Sequence, residues 1–208
     1  MRKLKKALEI FVSGIPSIPE PKVSLEQYAS PPHLVSRLLW IAEMVFGDVV
    51  ERKVIDLGSG TGRLGLAAAY LGAMYVLMME LDLALARVSW DYAKTMGFGG
   101  MTDVICGDAR LPPLRRAFDT AIQNPPFGVH KRGADVVFLK AALSLARVVY
   151  SVHKAETIDF IVSKVREMGG YAEPLFEEEV LIPSIMNFHF KRRHRVKVVV
   201  VRVASRKD

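Results

Sequence analysis

Cysteine and long apolar runs are both scarce in this sequence. The single cysteine, Cys106, has no partner for an internal disulfide, and the apolar residues around it predict a core position. No run of 18 uncharged apolar residues occurs, and the apolar part of the N-terminus is too short for a signal peptide. No spacing of His, Cys and carboxylates indicates a metal site. We therefore expect a cytoplasmic protein without a bound metal or a membrane contact.

The pattern of apolar residues predicts a single α/β domain over residues 1–208. Half of the residues are hydrophobic, enough for one sizeable core. An N-terminal helical lead-in, residues 1–48, contains an amphipathic helix, a proline-punctuated extended stretch over 13–24 and a helix over 31–47. Buried strands then alternate with helices of about a dozen residues, which indicates a mostly parallel sheet covered on both faces.

The predicted elements after the lead-in end in two consecutive strands, which permit an antiparallel hairpin at one edge. The predicted strands are 53–58, 74–79, 102–106, 118–123, 147–152, 171–182 and 195–203. The predicted helices are 61–71, 83–96, 134–146 and 155–168.

Positive charge is concentrated near the C-terminus. The net charge is +7, and eight Lys or Arg lie between Phe188 and Asp208 against one acid. A solvated strand edge explains such a cluster, but its breadth favours nucleic acid contact.

A glycine-rich loop follows the first strand of the sheet, at the edge where ligands bind in open α/β sheets. It reads Asp56-Leu57-Gly58-Ser59-Gly60-Thr61-Gly62-Arg63 and opens a helix, so its backbone approaches a ligand closely. The spacing G-x-G-x-G differs from the dinucleotide pattern G-x-G-x-x-G. The preceding acid repels pyrophosphate but attracts a cation such as the ammonium or sulfonium of S-adenosylmethionine.

Two further carboxylates end the next strands. Glu80 follows the second strand, where it can accept both hydroxyls of an adenosine ribose. Asp82 is expected to cap the next helix. Asp108, followed by Ala109, ends the third strand and is either an acceptor for an adenine amine or a turn aspartate.

The fourth strand ends in a second motif, Asn124-Pro125-Pro126-Phe127. Adjacent prolines make a stiff turn, so the Asn124 side-chain oxygen and the Pro125 carbonyl can each accept one hydrogen of an exocyclic amine. The nitrogen lone pair then points at a cofactor methyl group, and Phe127 offers a flat face for a flipped-out base. Together the two motifs favour an amino-group methyltransferase over a proline-rich turn.

The chain resembles the methyltransferase-like five family of ribosomal RNA adenine-N6 methyltransferases and their archaeal relatives. The resemblance rests on Leu25-Glu26-Gln27-Tyr28 before Pro32-His33, on Asn124-Pro125-Pro126-Phe127-Gly128, and on Tyr150-Ser151-Val152-His153-Lys154. It implies a Rossmann-like class I methyltransferase fold with a seven-stranded sheet and an S-adenosyl-L-methionine cofactor. Glu80 replaces the usual Asp of the family and Ser30 replaces Thr, and both keep the functional group.

The resemblance also implies a cofactor site that the lead-in closes. It implies that Gln27 and Ser30 fold over the cofactor, with Gly58, Thr61, Arg63, Glu80, Asp108 and Ala109 lining it. Eukaryotic members work with a small zinc-binding activator subunit that covers a sheet edge. His153 matches the family, but it is equally well explained as a core histidine. The residues expected to contact RNA are Lys131, Arg132, Lys154, Lys191, Arg192, Arg193 and Arg195.

Two alternatives remain open at this point. Glutamine-N5 methyltransferases of release factors also use Asn-Pro-Pro, because a glutamine amide has a similar acceptor geometry. They usually have Tyr at the position of Phe127 and lack the Leu-Glu-Gln-Tyr start, which favours the RNA substrate. A non-catalytic RNA-binding module is the third interpretation, and the intact Asp56, Glu80 and Asn124 argue against it.

Overall fold

The computed structural model describes residues 2–127, 133–183 and 193–205, which form six helices and seven strands. The helices are α1 (Arg2–Gly14), α2 (Pro32–Met44), α3 (Arg63–Leu71), α4 (Leu83–Thr95), α5 (Ala134–Leu145) and α6 (Ile158–Glu167). The strands are β1 (Lys53–Leu57), β2 (Tyr75–Glu80), β3 (Thr102–Cys106), β4 (Phe118–Gln123), β5 (Ala146–Lys154), β6 (Gly170–Pro183) and β7 (Arg193–Ser205). Within the described ranges, no helix combines the length and apolar character needed to cross a bilayer.

One seven-stranded sheet, in the order β3-β2-β1-β4-β5-β7-β6, organises the chain. Strands β1 to β5 pair in parallel, and β7 pairs antiparallel with both β5 and β6. The predicted mostly parallel sheet with an antiparallel edge hairpin is confirmed. The strand order reverses between β1 and β4, so their carboxyl ends frame the crevice where such sheets bind ligands.

Helices cover both faces of the sheet. Helices α1, α2 and α3 and Ala93 of α4 share one apolar core with residues of the sheet such as Met78, Ile122 and Tyr150. Helices α5 and α6 pack on the other face against residues such as Leu57, Val149 and Val201. Strands buried on both faces explain the nearly continuous apolar runs in the sequence.

The structure corrects one predicted position and several predicted boundaries. Cys106 is exposed rather than part of the core, because it is the last residue of β3, an edge strand of the sheet. The helix predicted over 61–71 begins at Arg63, since Gly62 adopts a left-handed conformation with φ of 84°. The helix predicted from residue 155 begins with a separate 3₁₀ turn over Ala155–Thr157.

Candidate active site

A cavity of about 190 Å³ lies at the carboxyl ends of the parallel strands, near the strand-order reversal. One wall comes from the lead-in, the second from the glycine loop and the ends of β2 and β3, and the third from the turn after β4 and helix α5. Its lining includes Ile18, Gln27, Tyr28, Gly58, Gly60, Glu80, Asp108, Ala109, Asn124, Pro126 and Phe138. A smaller cavity of about 30 Å³ adjoins it and includes Ser30, Ser59, Thr61 and Arg63 in its lining.

Ten of the twelve predicted cofactor residues line one of these two cavities. The exceptions are Asp56 and Gly62. Asp56 is fully buried, and its Oδ2 accepts the Gly65 N–H at 2.8 Å. The pKa of Asp56 is raised to about 7, mainly by burial; the Gly65 N–H offsets part of this rise, and the nearby charge of Glu80 adds to it. Asp56 therefore holds the start of α3 from beneath the loop.

The close packing at Gly65 explains why α3 has a glycine there. A Cβ at this position would lie 2.7 Å from Met78 Cγ and 3.2 Å from Asp56 Oδ2. The helix can thus approach β2 closely enough for its backbone to reach the buried carboxylate.

Glu80 faces the main cavity and also shapes the glycine loop. Its Oε2 accepts the Gly60 N–H at 2.7 Å, and its Oε1 accepts the Asp82 N–H at 2.8 Å. Burial raises the pKa of Glu80, while these backbone N–H groups lower it. Each carboxylate oxygen has a second lone pair, so the hydroxyl groups of a ligand in the cavity can still donate to it.

Asp82 anchors the lead-in to this corner of the site. Its Oδ1 accepts the Ala84 N–H at 3.1 Å, which confirms the predicted cap of α4. Its Oδ2 lies 2.8 Å from Lys22 Nζ and accepts from Gln27 Nε2 at 3.2 Å. The hydrogen bond from Lys22 holds the pKa of Asp82 below its usual value. Gln27 is thereby held at the cavity wall.

Arg110 is a cavity residue that the sequence analysis missed. Its guanidinium donates to both oxygens of Asp108, at distances of 2.6 to 3.0 Å, and the Arg110 N–H donates to Asp108 Oδ1 at 2.9 Å. Asp108 is thus both a turn aspartate and a cavity carboxylate. A ligand amine that reaches Asp108 has to share it with Arg110.

The smaller cavity contains a cation that makes no ion pair within the described ranges. Arg63 donates to the carbonyl oxygens of Ser30 and Ile15 at 2.9 and 3.2 Å, and burial lowers its pKa. Its Nε and the hydroxyl of Ser59 are buried without a hydrogen-bond partner among the residues that the structure describes. This set of donors suits a carboxylate ligand.

The Asn-Pro-Pro-Phe turn presents Asn124 to both cavities. Asn124 Oδ1 accepts from the Tyr28 hydroxyl at 2.8 Å, and Asn124 Nδ2 donates to Ser30 Oγ at 2.9 Å. The rings of Phe127 and Tyr28 pack with centroids 5.8 Å apart. Pro126 lines the main cavity, whereas Pro125 is buried. Tyr28 is a site residue that no sequence motif predicted, and the only sequence signal for it is its place beside Gln27 in the Leu-Glu-Gln-Tyr start.

Comparison with known proteins agrees with this geometry. The model of the methyltransferase small domain family matches residues 36–163. The rRNA N(6)-adenosine-methyltransferase METTL5 of Danio rerio is 32% identical, over 95% of this chain and 97% of its own. The chain belongs to the METTL5 family. The resemblance inferred from the motifs is therefore confirmed.

Two further matches of this METTL5-family chain distinguish RNA methyltransferases from release-factor methyltransferases. The structure of a putative RNA methyltransferase from Pyrococcus horikoshii is 36% identical and covers 97% of both chains, with a TM-score of 0.89. A release factor glutamine methyltransferase from Corynebacterium glutamicum is 30% identical, but over only 42% of this chain and 33% of its own. The full-length matches favour the RNA methyltransferases.

Behind the motif of this METTL5-family chain lies a buried polar cluster on the α5 side of the sheet. Gln123 Nε2 donates to Ser151 Oγ at 2.9 Å, and His153 Nδ1 lies 3.4 Å from Asp135 Oδ2. His153 is completely buried, which confirms the core-histidine interpretation.

The residues expected to contact RNA are only partly described. Lys131, Arg132, Lys191 and Arg192 lie outside the described residues. Lys154 forms an ion pair with Glu156 at 3.5 Å, and Arg195 is 79% exposed beside Glu179. Residue 193 pairs through its backbone with Pro183. Because Lys154 pairs with Val198 across β5 and β7, the start of β7 extends past the carboxyl end of β5, at the cavity edge of the sheet.

The raised pKa of Asp56 predicts a pH-dependent stability of the cofactor-free protein. Since the folded state favours the protonated carboxyl, the unfolding free energy falls as pH rises from about 4, its unfolded pKa, to about 7. We expect a loss of a few kcal/mol, roughly 1.4 kcal/mol per pKa unit. The Asp56→Asn variant, which keeps an oxygen for Gly65, should lack this loss.

Urea unfolding of both proteins at pH 4.5 and pH 8 measures the effect. Asp91→Asn, at an exposed aspartate of α4, serves as the control and should follow the wild-type curve. Parallel pH profiles for the wild type and Asp56→Asn would contradict the assigned pKa.

Proposed function

We propose that this chain transfers the methyl group of S-adenosyl-L-methionine to the N6 amine of an adenine in small-subunit ribosomal RNA. The proposal rests on the position of Asn124, which lines both cavities and so lies at their junction. The similarity to the rRNA N(6)-adenosine-methyltransferase METTL5 of Danio rerio supports the substrate. The methyltransferase family match supports the cofactor.

The polar groups of the two cavities fit the parts of S-adenosyl-L-methionine. Glu80 offers carboxylate oxygens to the ribose hydroxyls, and Asp108 offers them to the adenine amine. Arg63 Nε and the Ser59 hydroxyl, which have no hydrogen-bond partner in the described part of the chain, fit the methionine carboxylate. Gln27 and Ser30 bring the lead-in over the same site. When bound, the cofactor supplies an electrophilic methyl group.

The turn after β4 performs the substrate side of the reaction. Asn124 Oδ1 and the Pro125 carbonyl accept the two amine hydrogens, which turns the nitrogen lone pair toward the methyl group. Phe127 supports the flipped-out base. Because positioning two reactants contributes much of the rate, this arrangement requires no strong general base, and the proton that the methylated amine must lose would pass to solvent.

Isotope labelling tests the reaction and the substrate class together. The protein is incubated with labelled S-adenosyl-L-methionine and unmodified small ribosomal subunits, and RNA and protein are then digested separately for mass spectrometry. We expect label in N6-methyladenosine. Label in methylglutamine instead would assign the chain to the release-factor enzymes, and absence of label from both would contradict the proposal for the chain acting alone.

The Asn124→Ala variant should abolish methyl transfer, with a loss of about 100-fold or more, because it removes an acceptor for the substrate amine. Cofactor affinity, measured by calorimetry, should change by less than about threefold, a difference of under roughly 0.7 kcal/mol. Thr95→Ala, at an exposed site in α4, is the control for substitution as such. Loss of cofactor binding in Asn124→Ala would move Asn124 from the substrate to the cofactor.

The basic residues around the start of β7 are proposed to bind RNA phosphates. Replacing Arg192, Arg193 and Arg195 by Ala should weaken RNA binding and reduce its salt dependence by roughly one slope unit for each lost phosphate contact. The matched control is the replacement of Arg52, Lys53 and Arg147, three exposed cations at the opposite ends of the strands. Binding isotherms over a salt series give the slope. Equal salt slopes for both triple variants would show that the basic cluster is a solvated strand edge without a role in RNA binding.

The proposal extends to a small zinc-binding activator subunit at the edge strand β3. Val104 and Ile105 are only partly buried there, so β3 presents an apolar edge that a partner subunit can cover. The opposite edge, β6, is protected by Pro174, a register shift and the acidic run Glu177–Glu178–Glu179.

Isolating the tagged chain from its source cells tests this partner. We expect a co-purifying subunit with bound zinc, and slower amide hydrogen exchange in β3 than in the chain alone, with β6 unchanged. Protection of β6 instead of β3, or a preparation without zinc, would argue against the assignment.

A further inference from the structure

The lead-in contributes a hydroxyl group directly to the Asn-Pro-Pro-Phe turn. Tyr28 follows Gln27, and its Oη donates to Asn124 Oδ1 at 2.8 Å, across 96 residues of chain. Its ring packs against Phe127, so the hydroxyl is held at the turn by contacts on both sides. Burial raises the pKa of Tyr28 above its usual value, which keeps the hydroxyl a hydrogen-bond donor.

The two hydrogen-bond partners of Asn124 determine the positions of the oxygen and the nitrogen of its side-chain amide. Both partners are hydroxyl groups, but a phenol oxygen is a much weaker acceptor than an amide oxygen, so the Tyr28 hydroxyl favours the amide oxygen over the NH₂ group as its partner. Tyr28 supplies the donor for Oδ1, and Ser30 Oγ supplies the acceptor for Nδ2 at 2.9 Å. A rotated amide would place its NH₂ group against the Tyr28 hydroxyl and its oxygen against Ser30.

The orientation matters because only the amide oxygen can accept a substrate hydrogen. An amide oxygen has two lone pairs, and Tyr28 uses one of them. The other remains for the amine of the adenine. A rotated amide presents two donors to that amine instead, and the transfer geometry is lost.

We propose that Tyr28 is a positioning residue for methyl transfer, which together with Ser30 keeps the Asn124 oxygen directed at the substrate amine. This inference rests on the proposed adenine-N6 methylation. It gives the Leu-Glu-Gln-Tyr start a role in the chemical step, in addition to covering the cofactor.

The Tyr28→Phe variant tests the hydroxyl alone, because it keeps the ring against Phe127. With unmodified small-subunit ribosomal RNA and S-adenosyl-L-methionine, we expect kcat to fall about 10-fold to 100-fold, as for a misplaced reacting group. The KM for RNA and the cofactor Kd from calorimetry should each change less than about twofold, since the hydroxyl donates to Asn124 and the ring that lines the cavity is kept. Tyr171→Phe, at an exposed tyrosine of β6, is the matched control and should keep the wild-type kcat.

Ser30 variants and the double variant separate positioning from stability. Ser30→Thr keeps a hydroxyl and should retain most of kcat, whereas Ser30→Ala should lower it. The double variant Tyr28→Phe/Ser30→Ala should lose less kcat than the product of the fold-losses of the two single variants, because both residues act through one amide. Thermal unfolding of each variant shows whether it is folded at the assay temperature.

The outcomes distinguish this inference from the proposed function. If the wild type methylates adenine but Tyr28→Phe keeps its kcat, the positioning role is overturned and the proposed function stands. A higher kcat in Tyr28→Phe also overturns it, since Tyr28 would then compete with the substrate for Asn124. If the wild type leaves adenine unmethylated, the proposed function and this inference both fail.

Discussion

The hydrogen bond between the buried Asp56 carboxylate and the Gly65 N–H is the contact on which the site depends. It ties the end of β1 to the first turn of α3, beneath the glycine loop, and requires a residue without a side chain at position 65. With the helix held there, the loop above has few conformations left, and Glu80 fixes its middle through Gly60. The cavity is therefore shaped by two buried carboxylates whose pKa values are both raised.

The lead-in completes the site through several polar contacts with the glycine loop and with Asp82, which follows β2 and Leu81. Thr61 donates to the Pro16 carbonyl, Arg63 to the carbonyls of Ile15 and Ser30, and Gln27 to Asp82. The two cavities and the lead-in consequently form one arrangement, although the residues that line them are far apart in the sequence.

Features set by local sequence could be predicted, and those set by distant partners could not. The period of apolar residues located all seven strands, because each carries apolar residues on at least one face, and Glu80 and Asp108 followed from strand ends. Cys106 was misplaced because its apolar neighbours do not reveal that β3 is an edge. The contact of Tyr28 with Asn124 joins segments 96 residues apart, and no periodicity carries that information. Arg110 escaped notice because a cation beside an aspartate is common in any turn.

The strand order has a consequence for how the chain acquires its structure during synthesis. Strand β6 pairs only with β7 within the described residues, and β7 comes after it in the chain while lying between it and β5. Until β7 has left the ribosome, β5 has an open edge and β6 has no partner. The parallel part, with the glycine loop and the Asn-Pro-Pro-Phe turn, is by then already synthesised. The apolar run of β7 thus closes the sheet last, and a nascent chain paused before it would expose the edge most prone to aggregation.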